Sequence, residues 1–107
     1  MINVTYYRQY NRVTGEGHAG SGPEGHDLVC SAVSAIALTL AGNVSYMEAQ
    51  EAVHDTIIKL EEGNAEIQCT PYRRYKDSAG QIIRAVCVGF ELLATKYPKN
   101  ISYEVRG

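Results

Sequence analysis

A glycine-rich segment near the start of the chain limits its possible folds more than any other feature. Residues 15–27 have the sequence GEGHAGSGPEGHD, with five glycines and one proline. Glycine and proline at this density prevent a regular helix or a continuously paired strand. The segment is therefore predicted to be a mobile surface loop between an N-terminal hairpin and the first helix.

The residues before this loop have the pattern of a β-hairpin. Ile2, Val4 and Tyr6 alternate with polar residues, as in a strand with one buried face. Residues 9–11 can turn the chain, and residues 13–18 can return as a second strand.

The first helix is predicted to begin abruptly after Asp27. An aspartate at this position can accept hydrogen bonds from the unpaired backbone N–H groups of a helix start. Gly42-Asn43 predicts the end of this helix, and residues 45–53 are interpreted as a separate short helix. The apolar residues that follow at helical spacing are Leu28, Val29, Ala32, Val33, Ile36 and Leu40.

The second half of the chain repeats this order of hairpin and helix. Residues 55–61 and 64–70 are predicted to pair across a turn at residues 62–64, with Pro71 ending the second strand. A second amphipathic helix is predicted from a cap at Ser78 to the stop at Tyr97-Pro98. Residues 101–105 alternate as a last strand.

The predicted order is ββαββαβ in a chain of 107 residues, which fits a single domain over residues 1–107. Strands joined by tight turns form an antiparallel sheet, and two amphipathic helices can cover one face of it. We therefore expect a two-layer α+β fold with a mostly antiparallel or mixed sheet and two main helices.

Charge and composition narrow the range of functions and locations that this chain can have. Ten basic and twelve acidic residues give a net charge of −2, and the only compact basic cluster is Arg73, Arg74 and Lys76, so no nucleic-acid surface is expected. The start of the chain lacks the apolar region of a signal peptide, and the longest apolar stretch, residues 32–41, is too short to cross a membrane. Three widely spaced cysteines do not form a disulfide framework. These features favour a cytoplasmic protein.

The chemistry of the chain is concentrated around Cys30. A thiol attacks as its thiolate, and the N-terminus of a helix favours that form. Cys30 lies three residues after the predicted cap, and His18 lies twelve residues upstream, where the loop can bring it back over the helix start as a base. Backbone N–H groups near Cys30 could stabilise an oxyanion. Asp27 could orient the histidine or only cap the helix.

Other interpretations of these residues stay open. Cys30 could be a small buried residue of an Ala/Ser-rich helix, as we expect for Cys69 and Cys87 in the core. His18, His26 and Cys30 could bind zinc, but their spacing matches no common zinc motif and a fourth ligand is missing. His54 is expected on an exposed helix end or turn.

The stretch from Gly17 to Ser34 resembles the ribosomal-processing cysteine protease (Prp) family. The resemblance consists of Gly17-His18-Ala19, a glycine-rich loop, Gly25-His26-Asp27-Leu28-Val29-Cys30, and a helix of small residues, Ser31-Ala32-Val33-Ser34. It continues more weakly through residues 89–93 and Tyr97-Pro98. Ser31 stands where the family has alanine, and His26 where it has a neutral polar residue, so His26 could compete with His18 as the base.

This resemblance implies a homodimeric cysteine endopeptidase that needs no cofactor or metal. Members remove a short N-terminal extension from a large-subunit ribosomal protein, cutting after paired aromatic residues. The resemblance assigns Cys30 as nucleophile, His18 as base and Asp27 as a supporting acidic residue, with residues 19–26 as a gate over the substrate. Proximity to Cys30 adds a list of candidate substrate-binding residues: Gly20, Ser21, Gly22, Gly25 and Ser34.

Two alternative functions differ from this expectation in substrate or in chemistry. A related phage-encoded protease would trim a capsid or scaffold protein. A non-catalytic dimeric protein that binds a ribosomal partner would keep its binding in Cys30→Ala, because its cysteine would have no chemical role.

Overall fold

A computed structural model describes residues 1–18 and 27–107. The predicted order of elements, ββαββαβ, is confirmed. The elements are β1 (Ile2–Tyr7), β2 (Arg12–Gly17), α1 (Leu28–Ala49), β3 (Val53–Glu61), β4 (Asn64–Pro71), α2 (Lys76–Lys96) and β5 (Ile101–Arg106). Short 3-10 turns at Arg8–Tyr10 and Arg73–Tyr75 precede β2 and α2.

The strands form one five-stranded sheet in the order β3-β4-β2-β1-β5. Strands β1 and β2 are antiparallel, as are β2 with β4 and β3 with β4. Strand β5 is parallel to β1, because α2 carries the chain across the sheet before β5 begins. The expected mostly antiparallel, mixed sheet is confirmed.

The core lies between one face of the sheet and the two helices, which confirms the two-layer α+β fold. Ile2, Val4 and Tyr6 alternate inward along β1 as the sequence predicts. Cys69 on β4 and Cys87 on α2 are buried in this core, also as predicted. Leu40, Val44, Ile83, Phe90 and Ile101 are further buried members.

Helix α1 is longer than the sequence predicts. Its predicted end at Gly42-Asn43 is wrong, because the helix continues to Ala49 and buries Val44 and Met47 against the core. The Asn43 side chain donates to the Thr39 carbonyl oxygen at 2.8 Å, so this polar residue is satisfied inside the helix. The predicted separate helix over residues 45–53 is therefore wrong, and β3 begins at Val53.

Two smaller predictions also fail. Ser78 does not cap α2, which begins at Lys76 directly after a 3-10 turn; the Ser78 hydroxyl instead donates to the Tyr75 carbonyl oxygen. His54 lies on β3 rather than at a helix end, and its Nδ1 lies 2.8 Å from the Asp55 carboxylate. The register of β3 shifts there, between His54 and Ile57. The predicted mobile loop falls largely on residues 19–26, outside the described residues.

Both long helices are apolar enough to be considered as membrane spans. By length and composition alone, the 22 residues of α1 and the 24 residues of Arg73–Lys96 could each cross a bilayer. Both are longer than residues 32–41, the apolar stretch that is predicted from the sequence to be too short to do so. Core helices pass the same test, and both helices contribute buried residues to the core described above. The absence of a membrane span stays a prediction.

Candidate active site

Cys30 lies in the first turn of α1, where the sequence places it. The Asp27 carboxylate accepts a hydrogen bond from the Cys30 backbone N–H at 2.9 Å, which confirms Asp27 as the N-cap. The Ser31 backbone N–H donates to the Asp27 carbonyl oxygen at 3.1 Å, the first bond of the regular helix. Cys30 itself is half-buried.

A groove of about 420 Å³ lies beside Cys30, between α1 and the sheet. Its α1 side contains Cys30 and Ser34, with Val33, Ala37 and Leu38 following along the helix. The other side is formed by Leu60, the β3–β4 turn and Ala65. Most of the lining is apolar, and Glu61 and Glu62 supply the acidic residues. Such a surface suits an apolar side chain of a bound ligand.

Small residues on the sheet leave the space for this groove. Gly15 and Ala65 are cross-strand partners on β2 and β4, and both line it. A Cβ added to Gly15 would meet only the Val4 side chain, at 3.9 Å. Gly15 and Ala65 therefore leave open space on the sheet side of the groove, next to the larger lining residues Ile2 and Leu60.

His18 follows the last residue of β2, and its side chain lies against the β3–β4 turn. The Gly17 backbone N–H donates to the Gly63 carbonyl oxygen at 3.0 Å, and the Met1 backbone nitrogen donates to the His18 carbonyl oxygen at 2.5 Å. A Cβ added to Gly63 would lie 3.0 Å from His18 Nε2. Gly63 also lines the groove, so the imidazole lies beside one of the lining residues.

The structure brings some of the predicted site residues together. Cys30 and Ser34 both line the groove, and His18 lies beside the lining residue Gly63. Within residues 1–18 and 27–107, no direct hydrogen bond joins Cys30 and His18. Gly20, Ser21, Gly22, Gly25 and His26 lie outside the described residues, so the gate and zinc interpretations are not addressed.

Gly15 and Gly63 contribute to the site although the sequence predicts only a strand or loop position for Gly15 and a turn position for Gly63. The one local signal for Gly63 is its turn position, and its contact with His18 depends on the pairing of distant strands.

The two other cysteines have a different environment. Cys69 and Cys87 are each 1% exposed, and burial raises the pKa of both thiols to about 11 from an ordinary 9.0. Cys30 is the partly exposed one of the three. It is therefore the thiol that a substrate or reagent can reach.

Comparison with solved structures shows a shared fold. The S. aureus ribosomal processing protease Prp with a covalently linked product peptide superposes with a TM-score of 0.73 and 21% identity, over 98% of this chain and 97% of that one. The protein SMU.848 of Streptococcus mutans gives 0.71 and 25%, over 99% and 94%. The S. aureus protease with a substrate peptide gives 0.69 and 21%, over 99% and 100%.

The family follows from the sequence match rather than from these structures. No curated protein sequence matches the chain. The model of the family described as cysteine protease Prp matches residues 1–102, which include every described residue of the groove and His18. Cys30 is an accessible thiol beside an apolar groove, an arrangement that a cysteine protease needs. The chain belongs to the cysteine protease Prp family.

Proposed function

We propose that this protease removes an N-terminal extension from a large-subunit ribosomal protein, with Cys30 as nucleophile and His18 as base. The observation that carries the proposal is the position of Cys30, the accessible thiol, in the first turn of α1 and in the wall of an apolar groove. The groove can hold an extended peptide next to this thiol.

The proposed reaction uses a thioester intermediate. The Cys30 sulfur attacks the scissile carbonyl carbon while His18 accepts the thiol proton, and a tetrahedral oxyanion forms. When this intermediate collapses, the C–N bond breaks and His18 gives its proton to the departing amine. Water, with its proton taken by His18, then hydrolyses the thioester and restores the Cys30 thiol.

The position of His18 supports its role as the base, although it forms no direct hydrogen bond with Cys30 within the described parts of the chain. Catalytic hydrogen bonds are often long before substrate binds and shorten in the complex. The imidazole lies beside Gly63, which lines the groove together with Cys30. We propose that the imidazole turns from Gly63 towards the Cys30 sulfur when substrate binds.

The oxyanion needs a donor other than the Cys30 backbone N–H. That N–H donates to the Asp27 carboxylate at 2.9 Å. Asp27 therefore caps the helix directly. We propose that it supports catalysis by holding the backbone of Cys30 in place.

The groove favours substrates with large apolar side chains near the cleaved bond. Leu38, Leu60 and Val33 offer apolar walls, and Gly15 leaves depth below them. Paired aromatic residues, at which the family cleaves its ribosomal substrate, fit this chemistry. The S. aureus relative is described as an essential ribosomal processing protease and was solved with a substrate peptide. We propose the same substrate class and a cytoplasmic location here.

We also propose that the protein acts as a homodimer. Helix α1 is apolar on most of its surface, yet Leu28 and Tyr46 are 77% and 74% exposed. Val88 and Leu92, one turn apart on α2, are exposed as well. Exposed apolar side chains on neighbouring helices are typical of a surface covered by another protein.

A cleavage assay tests the proposed function. The substrate is an extended peptide with two successive aromatic residues, and products are identified by mass spectrometry. Wild type should cut after the aromatic pair, whereas Cys30→Ala and His18→Ala should lose at least about 100-fold in rate. Ser31→Ala is the matched control, because Ser31 neighbours Cys30 but does not line the groove. Unchanged cleavage by Cys30→Ala would contradict the proposal.

A further inference from the structure

We propose that Gly63 is a positioning residue for His18: the missing side chain at Gly63 leaves the surface on which the imidazole lies. This inference rests on the proposed role of His18 as the base. It assigns to a turn residue 45 positions away in sequence a part in placing that base.

The contact between the two residues is too tight for a side chain at Gly63 unless the imidazole shifts. A Cβ on Gly63 would lie 3.0 Å from His18 Nε2 and 3.4 Å from its Cε1. Non-bonded carbon atoms pack at about 3.5–4.0 Å, so any Cβ at this position pushes against the ring. Gly63 also has a φ of 75°, which glycine adopts without strain.

The same turn also holds the backbone that leads to His18. The Gly63 carbonyl oxygen accepts from the Gly17 N–H at 3.0 Å, and the pairing of β2 with β4 continues up to Glu16 and Asn64. Gly17 itself has a φ of 101°, and a Cβ there would collide with the Met1 carbonyl oxygen. The β3–β4 turn therefore bonds the main chain before His18 and also lies beside its ring.

This placement matters because Gly63 and Cys30 line the same groove. A proton can pass between His18 and Cys30 only if the ring lies within hydrogen-bond reach of the sulfur when substrate is bound. A ring displaced by even about 1 Å reduces the rate strongly. A side chain at Gly63 should therefore affect the chemical step more than the binding of substrate.

Two substitutions separate this effect from backbone strain. Gly63→Ala adds a Cβ and strains the positive φ, whereas Gly63→Asn adds a Cβ to a residue type that tolerates this backbone region. We expect both variants to lose about tenfold or more in kcat while KM changes little. The pH profile of Cys30 alkylation should shift in both toward that of His18→Ala.

Asn11→Ala is the matched control for strain, since Asn11 has a φ of 47° in the β1–β2 turn, at the other end of β2. It should lower the melting temperature and leave kcat and the alkylation profile unchanged. Wild-type kcat in Gly63→Asn, with His18→Ala inactive, would overturn the role of Gly63 and leave the dyad intact. Full activity of His18→Ala would overturn both. Reduced kcat with a shifted alkylation profile in both Gly63 variants would support the inference.

Discussion

The Asp27 carboxylate holds the backbone N–H of Cys30 at 2.9 Å, so the residue that caps α1 also fixes the main chain of the accessible thiol. The cap and the reactive group belong to one turn of helix. A change at Asp27 therefore acts on the stability of α1 and on the placement of Cys30 at the same time.

Substitutions at Asp27 should separate the effect of its capping hydrogen bond on stability from the effect of its negative charge. Asp27→Ala removes the cap and should lower the free energy of unfolding by about 1 kcal/mol, whereas Asp27→Asn keeps a capping oxygen and should stay close to wild type. Urea denaturation of the three proteins measures this difference. Equal stability of Asp27→Ala and wild type would show that the hydrogen bond to Cys30 contributes little.

Filling the groove from below should weaken substrate binding without unfolding the protein. Gly15→Val places a β-branched residue in strand β2, where the added Cβ meets only Val4 at 3.9 Å, and its methyl groups reduce the depth of the groove. We expect KM to rise about tenfold or more with an unchanged or higher melting temperature.

Thr5→Val is the control for this variant, because Thr5 lies on β1 next to Val4 and its side chain points to the other face of the sheet. It should keep the wild-type KM. If Gly15→Val also kept the wild-type KM, the groove would not be the substrate site.

Alkaline conditions should destabilise the fold through its two buried thiols. Burial raises the pKa of Cys69 and Cys87 to about 11, whereas an exposed thiol has a value of 9.0. Above pH 9 the unfolded chain releases these thiol protons, whereas the folded chain keeps them. The contribution of the two thiols to the free energy of unfolding is therefore complete below pH 9 and is lost between pH 9 and about pH 11. Each thiol should lower the free energy of unfolding by roughly 1.4 kcal/mol per pH unit in this window.

Denaturation midpoints between pH 8 and pH 11 test this prediction. Cys69→Ala should have a shallower slope than wild type, although a lower stability at pH 8 because of the cavity it creates. Burial also raises the pKa of Tyr6 and Tyr103, so some slope remains in the variant. Identical slopes for both proteins would contradict the assignment to Cys69.

The proposed dimer should depend on the exposed apolar side chains of the helices. The double variant Val88→Ser with Leu92→Ser removes two such residues from one face of α2 and should raise the dimer dissociation constant about tenfold or more. Sedimentation velocity over a range of concentrations measures this. Tyr10→Ser is the control, because Tyr10 is 64% exposed in the β1–β2 turn and belongs to neither long helix. A monomeric wild type at all concentrations would contradict the proposal.

Features with a local cause were predictable from the sequence. The alternation of Ile2, Val4 and Tyr6 defines a strand by itself, and Asp27 marks the start of α1 by side-chain chemistry alone. The position of Cys30 in the first turn of α1 follows from its separation of three residues from Asp27, which the sequence alone gives.

Features that depend on distant partners were not predictable. Gly42-Asn43 is a typical helix end, but the burial of Val44 and Met47 against the core outweighs that preference. The groove arises because Gly15 pairs with Ala65 across two strands, and His18 meets Gly63 through the same pairing. Predicting such contacts requires the order of the strands in the sheet, and short-range sequence patterns do not determine that order.

The most direct test of the central claim is the detection of an acyl group on Cys30. Wild-type protein is mixed with an aromatic peptide ester, quenched in acid within one turnover, digested, and analysed by mass spectrometry. The account predicts an acyl adduct on the Cys30 peptide, no adduct on Cys69 or Cys87, and no product from Cys30→Ala. Product formation by Cys30→Ala, or turnover with the adduct on another residue, would contradict it.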